Sequence, residues 1–260
     1  MTADLLEHGV LTVEGRVVAA SNLTLYARVD DAEGASTSCV YKPVSGERPL
    51  WDFPDGTLAQ RERAAYLVSE AGGWHLVPHT VLRDGPLGPG MCQQWVVTDD
   101  DRPWVEVLDA HEAVADGWLE VLRGQDETGR PVVLVHRDDA AVRAMVVMDA
   151  VLNNADRKGG HLLRATDGRL QGVDHGLCLH TDPKLRTVLW GYAGTPLTPV
   201  DVANLQRLDS WLGAEGRAAL GGLLTPTEVD VLTERVAVLG TRGVLPRPPR
   251  TAPAIPWPAF

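Results

Sequence analysis

The sequence predicts an α+β fold in two lobes, and three observations support this prediction. Residues 11–97 contain several short β-favouring runs and one long helix-like segment at 58–71. A polar segment at 98–103 separates this part from a downstream part in which helical patterning prevails. A chain of 260 residues that is 44% hydrophobic can bury a core of the required size. We therefore expect an N-terminal lobe over 1–101, an antiparallel sheet with one helix, and a mainly helical C-terminal lobe over 102–243.

The first lobe is predicted from β-favouring runs separated by polar residues or glycine. Between two of these runs lies the small-residue turn at 19–22, and Lys42 stands at the end of a later run that Pro43 terminates. Segment 58–71 lacks glycine and proline and alternates apolar with charged residues, which predicts a helix carrying Glu62. The strands are expected at 11–13, 16–18, 23–29, 38–43, 74–78, 80–85 and 91–97.

The second lobe is predicted to be built mostly from helices. We expect helical structure after Asp109 and a nearly all-apolar buried helix over 138–152. The Asp167-Gly168 pair predicts a hairpin between two short strands. Further helices are expected near 199–212, 215–223 and 226–239, and the proline-rich tail at 244–260 is expected to be extended and disordered.

Composition excludes several classes of function. A formal charge of -11 and a pI near 5.1 argue against a protein held to nucleic acid by long-range attraction. The three cysteines are far apart and form no CxxC pair, so we expect neither a disulfide framework nor a zinc cluster. The sequence shows no signal segment and no run of eighteen apolar residues. These features predict a cytoplasmic protein without a transmembrane segment.

Two acidic motifs predict a phosphotransfer centre. Asp156-Arg157-Lys158 follows the apolar helix, and Asp174-His175-Gly176 follows the hairpin. Phosphoryl transfer needs one carboxylate that orients the acceptor and another that holds Mg²⁺ on the phosphates. Taken alone, the first motif would be a solvated turn, but the second at this spacing favours a site. We assign the first role to Asp156 and the second to Asp174.

These motifs, together with Lys42, Glu62 and the segment Gln93-Gln94-Trp95-Val96, resemble the phosphatidylinositol 3- and 4-kinase-like branch of the protein-kinase-like fold. The resemblance covers about residues 10–240, and the smaller actinobacterial and HipA-like relatives are most similar in length. It implies an ATP-dependent kinase with two lobes, in which ATP and Mg²⁺ or Mn²⁺ lie in the cleft. It does not imply a lipid acceptor, so the acceptor is an unknown hydroxyl of a protein or a small molecule.

The resemblance also implies individual roles. Lys42 would contact the α and β phosphates, with Glu62 as its partner on the helix. Ser21 and Asn22 would lie over the phosphates, and the backbone near Gln93, Gln94, Trp95 and Val96 would bind the adenine. Taken in isolation, Lys42 would be a surface lysine and Glu62 would compete with Glu70, and only their order along the chain favours these roles.

Two positions depart from the family pattern. His161 stands five residues after Asp156, where the family has an asparagine, and Mg²⁺ prefers oxygen ligands. An imidazole there favours Mn²⁺ or contacts phosphate directly. Lys158 replaces a histidine of the lipid kinases and could neutralise charge on the transferring phosphoryl group, a catalytic role.

Two other functions stay open at this stage. His161 permits a pseudokinase that binds nucleotide and acts as a scaffold. Alternatively, His161, His175 and His180 could join Asp174 in the metal site of a hydrolase, although the sequence contains no HxH or HExxH pair.

Overall fold

The computed structural model describes residues 2–18, 22–54, 57–99, 101–111 and 115–260. Within these residues the chain forms the expected α+β fold, with antiparallel sheets and several helices. None of the helices in the described ranges combines the length and the apolar character that crossing a bilayer requires.

The N-terminal part is built on a five-stranded antiparallel sheet. The short helix α1 (Thr2–His8) packs against one of its faces, where Leu25, Ala27 and Val29 alternate inward from one strand. The sheet order is β1-β2-β3-β5-β4, and the strands are β1 (Val10–Arg16), β2 (Leu25–Asp30), β3 (Ser36–Pro43), β4 (Thr80–Gly85) and β5 (Gly88–Gln94).

Several boundaries differ from the expectation. Two strands were expected at 11–13 and 16–18, but the single strand β1 ends at Arg16, and β5 ends at Gln94 before the expected limit of 97. Residues 74–78 form no strand. Instead, the buried hydroxyl of Ser69 accepts hydrogen bonds from the backbone of Leu76 and Val77, which holds this segment against the preceding helix.

Helix α2 (Leu58–Gly72) confirms the predicted helix and ends where Gly73 adopts a left-handed φ of 73°. It separates two hydrophobic cores. The smaller core lies between α1 and the sheet. The larger core is formed mainly by buried side chains of the C-terminal part. Ala64, Ala65 and Val68 of α2 pack into the larger core, so this helix from the N-terminal half is buried against C-terminal elements.

The expectation of helical structure after Asp109 is wrong. The chain forms a three-stranded antiparallel sheet there, in the order β6-β8-β7. Asp126 and Gly129 build the tight turn between two of its strands, because the Asp126 carboxylate accepts backbone hydrogen bonds at 128 and 130. The part after 102 is therefore mixed and not mainly helical. The strands are β6 (Val105–Asp109), β7 (Trp118–Gln125) and β8 (Pro131–Arg137).

The centre of the C-terminal part is the buried helix α3 (Ala140–Leu152). Asp139 caps its first turn, and Asn153 ends it with a left-handed φ of 53°. The predicted hairpin is confirmed as β9 (Leu162–Arg164) and β10 (Leu170–Gly172). Two later helices, α4 (Pro199–Trp211) and α6 (Pro226–Arg242), begin at threonine capping boxes. Between them a π turn leaves only the short α5 (Arg217–Leu220) where a longer helix was expected at 215–223.

The proline-rich tail is not disordered, contrary to expectation. Leu245 is buried, and the carbonyl of Ala254 accepts hydrogen bonds from the Thr187 backbone and the Trp190 indole. Near its end, the Ala259 carbonyl accepts a hydrogen bond of 2.8 Å from the backbone of Gly159. The tail therefore returns to the loop that follows α3.

Candidate functional site

Lys42 joins two parts of the chain that are distant in sequence. Its Nζ donates hydrogen bonds of 2.8 Å both to Glu62 Oε1 on α2 and to Asp174 Oδ1 after the hairpin. Glu62 is 2% exposed, and its other carboxylate oxygen accepts a hydrogen bond of 2.9 Å from the His175 backbone. Strand β3, helix α2 and the Asp174-His175-Gly176 turn are therefore linked at one point.

Asp156 and Lys158 lie on the loop between α3 and β9 and face each other. Lys158 Nζ is 3.6 Å from Asp156 Oδ2, and the Asp156 backbone donates a hydrogen bond to the Asn154 side chain. His161 approaches the other motif, with its Nε2 at 3.3 Å from Asp174 Oδ2. Its Nδ1 is buried and has no hydrogen-bond partner among the described residues.

The charges of the site shift several pKa values. The ammonium of Lys42 holds the pKa of Asp174 below its ordinary value, against the effect of burial. Burial alone would lower the pKa of Lys42, but the charges of Asp174 and Glu62 outweigh it and raise that pKa. Burial raises the pKa of Asp156, although the charge of Lys158 opposes the shift. Burial lowers the pKa of His161 to about 4, so its ring is neutral near pH 7.

Arg157 positions both acidic motifs, a role that the sequence did not reveal. Its buried guanidinium contacts both carboxylate oxygens of Asp149 on α3, at 2.8 and 2.9 Å. It also donates to the Val173 carbonyl at 3.0 Å and lies 2.7 Å from His175 Nε2. The loop of Asp156 and the turn of Asp174 are therefore held to the same helix by one side chain.

The two asparagines at the end of α3 act in the same way. Asn153 donates to the backbone carbonyls of His180 and Asp182 and accepts from the Lys184 backbone. Asn154 bonds Asp149 through its side-chain nitrogen, while its side-chain oxygen accepts from the Asp156 backbone. The sequence shows an Asn-Asn pair directly after the apolar helix, but it does not show the partners of these side chains.

The structure brings five predicted residues into one cavity of about 370 Å³, here called the Lys42 cavity. Lys42, Glu62, Asp156 and Asp174 line it together with Asn22, whose side chain accepts a hydrogen bond of 2.9 Å from the Arg48 backbone. Ser21, the other residue expected over the phosphates, lies outside the described residues.

Among the described residues that line the Lys42 cavity, none belongs to the segment expected to bind adenine. The Gln93 side chain is buried and bonds Thr80, while the backbone N–H groups of Gln94 and Trp95 are used by His79 and Ser38. Gln94, Trp95 and Val96 line a separate cavity of about 560 Å³. The backbone of Val96 has no hydrogen-bond partner within the described residues, which leaves it available to a ligand.

The histidines proposed for a hydrolase do not converge. His175 Nε2 faces Arg157, and His180 Nε2 lies 2.8 Å from the Asp52 carbonyl. Across the described part of the chain, no three His, Cys, Asp or Glu side chains are grouped as a metal site held by protein alone requires. The hydrolase hypothesis therefore lacks its ligand set in these residues.

Fold and site together define an α+β protein whose lysine and carboxylates meet in a cavity beside the loop that follows α3. No family model matches the chain. The chain is 50% identical over 265 residues to Protein Rv2133c of Mycobacterium tuberculosis (strain ATCC 25618 / H37Rv), a match that covers 98% of this chain and 94% of that protein. The chain belongs to the family of Protein Rv2133c.

Proposed function

We propose that this protein is an ATP-dependent kinase of the phosphatidylinositol 3- and 4-kinase-like type, with a two-lobed protein-kinase-like fold. The observation that carries the proposal is the pair of 2.8 Å hydrogen bonds from Lys42 to Glu62 and Asp174. An ammonium group held by a helix glutamate and placed beside a metal-binding aspartate is what phosphate positioning in such kinases requires. In this proposal the lobes meet near residues 98–103.

The reaction transfers the γ-phosphoryl group of ATP to a hydroxyl group. A bond forms between the acceptor oxygen and the γ-phosphorus, and the bond from that phosphorus to the β–γ bridging oxygen breaks. ADP leaves with the electron pair. Asp156 orients the hydroxyl and takes its proton, a role that the raised pKa of this half-buried carboxyl favours. Lys42 and Lys158 supply positive charge beside the phosphates.

The residues present fit a divalent cation that is bound jointly with nucleotide. Mg²⁺ sites in kinases use one or two carboxylates plus substrate phosphates, so a protein-only cluster is not needed. Asp174 is kept ionised by Lys42, and His161 is neutral because burial lowers its pKa to about 4, the state in which an imidazole can bind metal. Asp174 would hold the cation, with His161 favouring Mn²⁺. The bound cation would neutralise charge on the transferring phosphoryl group.

The experiment that tests the kinase proposal is turnover of γ-labelled ATP with Mg²⁺ or Mn²⁺. Asp156→Asn and Asp174→Asn should each lower turnover at least about 100-fold, because Asp156 takes the proton of the acceptor hydroxyl and Asp174 would hold the cation on the phosphates. Asp230→Asn is the matched control, since Asp230 is exposed on α6 and pairs with Arg217 at the surface. Turnover that neither site substitution changes would contradict the proposal.

The second candidate is a nucleotide-binding pseudokinase that acts as a scaffold. It is favoured by His161, whose imidazole stands 3.3 Å from Asp174 in place of an oxygen ligand. Nucleotide binding by the wild-type protein without turnover, in either metal and with a broad set of hydroxyl acceptors, would support the scaffold. Tightly bound zinc retained through purification would instead revive the hydrolase.

A further inference from the structure

A second cavity adjoins the Lys42 cavity. It has a volume of about 590 Å³ and lies between the loop at 50–53, the segment at 183–186 and the C-terminal tail, and we call it the tail cavity. Leu50 and Leu177 line both cavities, so the two spaces are neighbours that share these side chains. A molecule in the tail cavity would lie next to the space that Asp156 lines. The volume is typical of sites for small molecules.

The lining of the tail cavity carries excess positive charge. Arg186 and Arg247 line it, and neither guanidinium forms an ion pair or a hydrogen bond with the described residues. Its acidic residue, Asp52, is already paired with Lys184 at 2.7 Å. Two arginines at a concave site, without an acidic partner among the described residues, suit an anionic group.

Arg186 is fixed to the loop that carries Asp156. Its backbone N–H donates to the Asn154 carbonyl at 2.9 Å, and its carbonyl accepts from the Arg157 backbone at 3.1 Å. Burial raises the pKa of Asp156, and the charge of Arg186 is among those that oppose this rise. An anion held by Arg186 would therefore lie close to the proposed acceptor-orienting carboxylate.

The remaining walls are apolar and include an exposed aromatic side chain. Trp51 is 93% exposed and lies over Lys184, with the ammonium 5.2 Å from its ring centroid. Hydrophobic and aromatic side chains commonly line pockets for small molecules. The other apolar lining residues are Leu50, Phe53, Leu177, Leu185, Trp190 and the prolines and alanine of the tail.

We propose that the tail cavity binds the phosphate acceptor, and that this acceptor is a small hydroxyl compound carrying a phosphate or carboxylate group on an apolar or ring-shaped body. The inference rests on the proposed kinase function and names its substrate class. The size of the cavity and the closure of one side by the tail favour a small molecule over an acidic peptide.

Binding is tested directly with phenyl phosphate, observed by saturation-transfer NMR, and with benzyl alcohol as the neutral counterpart. Phenyl phosphate should bind to the wild-type protein, and Arg186→Gln and Arg247→Gln should each weaken it about tenfold by removing a charge-assisted hydrogen bond. Arg217→Gln, a change at an exposed residue that pairs with Asp230 and lines neither cavity, is the matched control. If both site variants bound phenyl phosphate with the affinity of the wild-type protein, the proposal would be overturned. Loss of binding only in Lys42→Ala would also overturn it, because the anion would then lie in the Lys42 cavity.

A second experiment separates failure of this inference from failure of the kinase proposal. ADP release is measured with pairs of alcohols that differ only by a phosphate or carboxylate group, alongside an acidic serine peptide. If the anionic alcohols stimulate ADP release and Arg186→Gln abolishes this stimulation, the inference is supported. If only the neutral alcohols or only the peptide stimulate ADP release, the inference is overturned. Arginine-dependent binding of phenyl phosphate without any ATP turnover would refute the kinase and leave the anion site standing.

Discussion

At the scale of single residues, the order of charged side chains along the chain predicted which of them meet. Lys42, Glu62, Asp156 and Asp174 were selected from motifs, and the structure places all four around one cavity. The residues that hold them could not be predicted. In the sequence, Asp149 is a single polar residue near the end of an apolar helix. Only the fold shows that its carboxylate is buried against the guanidinium of Arg157.

The same limit applies to histidines, whose environment decides their charge. His136 is fully buried on β8, with Nδ1 at 2.9 Å from the Arg137 carbonyl and Nε2 accepting a hydrogen bond of 3.0 Å from the Gly191 backbone. The accepting nitrogen must be unprotonated. Burial correspondingly lowers the pKa of His136 below its ordinary value of 6.5.

We therefore predict that His136 makes stability depend on pH. Because its pKa is lower in the folded than in the unfolded chain, its contribution is complete above pH about 6.5 and is lost as the pH falls towards the folded value. Urea unfolding between pH 5 and 8 should show wild-type stability declining on the acid side, and His136→Gln should have a shallower decline. His8→Gln, a change at an exposed position, is the control. Parallel pH profiles for wild type and His136→Gln would refute the assignment.

At the scale of elements, sequence patterns predicted the helices and strands whose apolar residues recur with one regular spacing. They failed where that spacing is interrupted. Helix α2, the apolar α3 and the hairpin were predicted with small errors. Strand β7 was missed because its register shifts between Glu120 and Leu122, so that its apolar residues do not alternate. Leu119 and Leu122 are three residues apart, a spacing typical of a helix.

The tail is the other element that composition misjudged. Proline-rich segments lack internal hydrogen bonds, but they can still bond to a neighbouring surface. Here the tail reaches the loop of Asp156, since a Cβ atom on Gly159 would stand 2.4 Å from the Phe260 ring. The glycine therefore leaves room for the aromatic side chain.

We predict that Gly159→Ala displaces the end of the tail. Phe260 is 52% exposed, so its ring can move outward, and we expect less than about 1 kcal/mol of global destabilisation. Local opening should still increase, and trypsin should cleave after Arg250 several-fold faster. In a Phe260→Ala background the same change should have no further effect, because the ring is already absent. Equal acceleration in both backgrounds would show that this contact is not the cause.

At the scale of the whole molecule, the two cores are not divided at the expected lobe boundary. Helix α2 belongs to the first 101 residues, but Ala64, Ala65 and Val68 are buried in the core formed mainly by later elements. Arg61 of the same helix is 1% exposed and pairs with Glu228 on α6. Periodicity identified the helix, but it could not identify the elements that cover each of its faces.

We predict that a fragment of residues 1–101 does not fold cooperatively. Separation from the remainder would expose the apolar face of α2 and leave Arg61 and Glu62 without the partners they have in later segments. Thermal unfolding of the fragment by circular dichroism should lack a sharp transition, whereas the full chain should show one. A sharp two-state transition in the isolated fragment would show that the N-terminal part is an independent domain.

The charge balance around Lys42 has a consequence for ligand loading. Three carboxylates, those of Glu62, Asp156 and Asp174, surround two ammonium groups, those of Lys42 and Lys158. A polyanion that binds alone would be repelled by the carboxylates. A cation that binds alone would compete for these carboxylates with Lys42 and Lys158, which already pair with them. In the proposed kinase, a cation held by Asp174 would offset the carboxylate charge and strengthen nucleotide binding. Because thermodynamic linkage is reciprocal, the nucleotide should strengthen cation binding equally, and the nucleotide titration curve should move steeply with divalent-ion concentration.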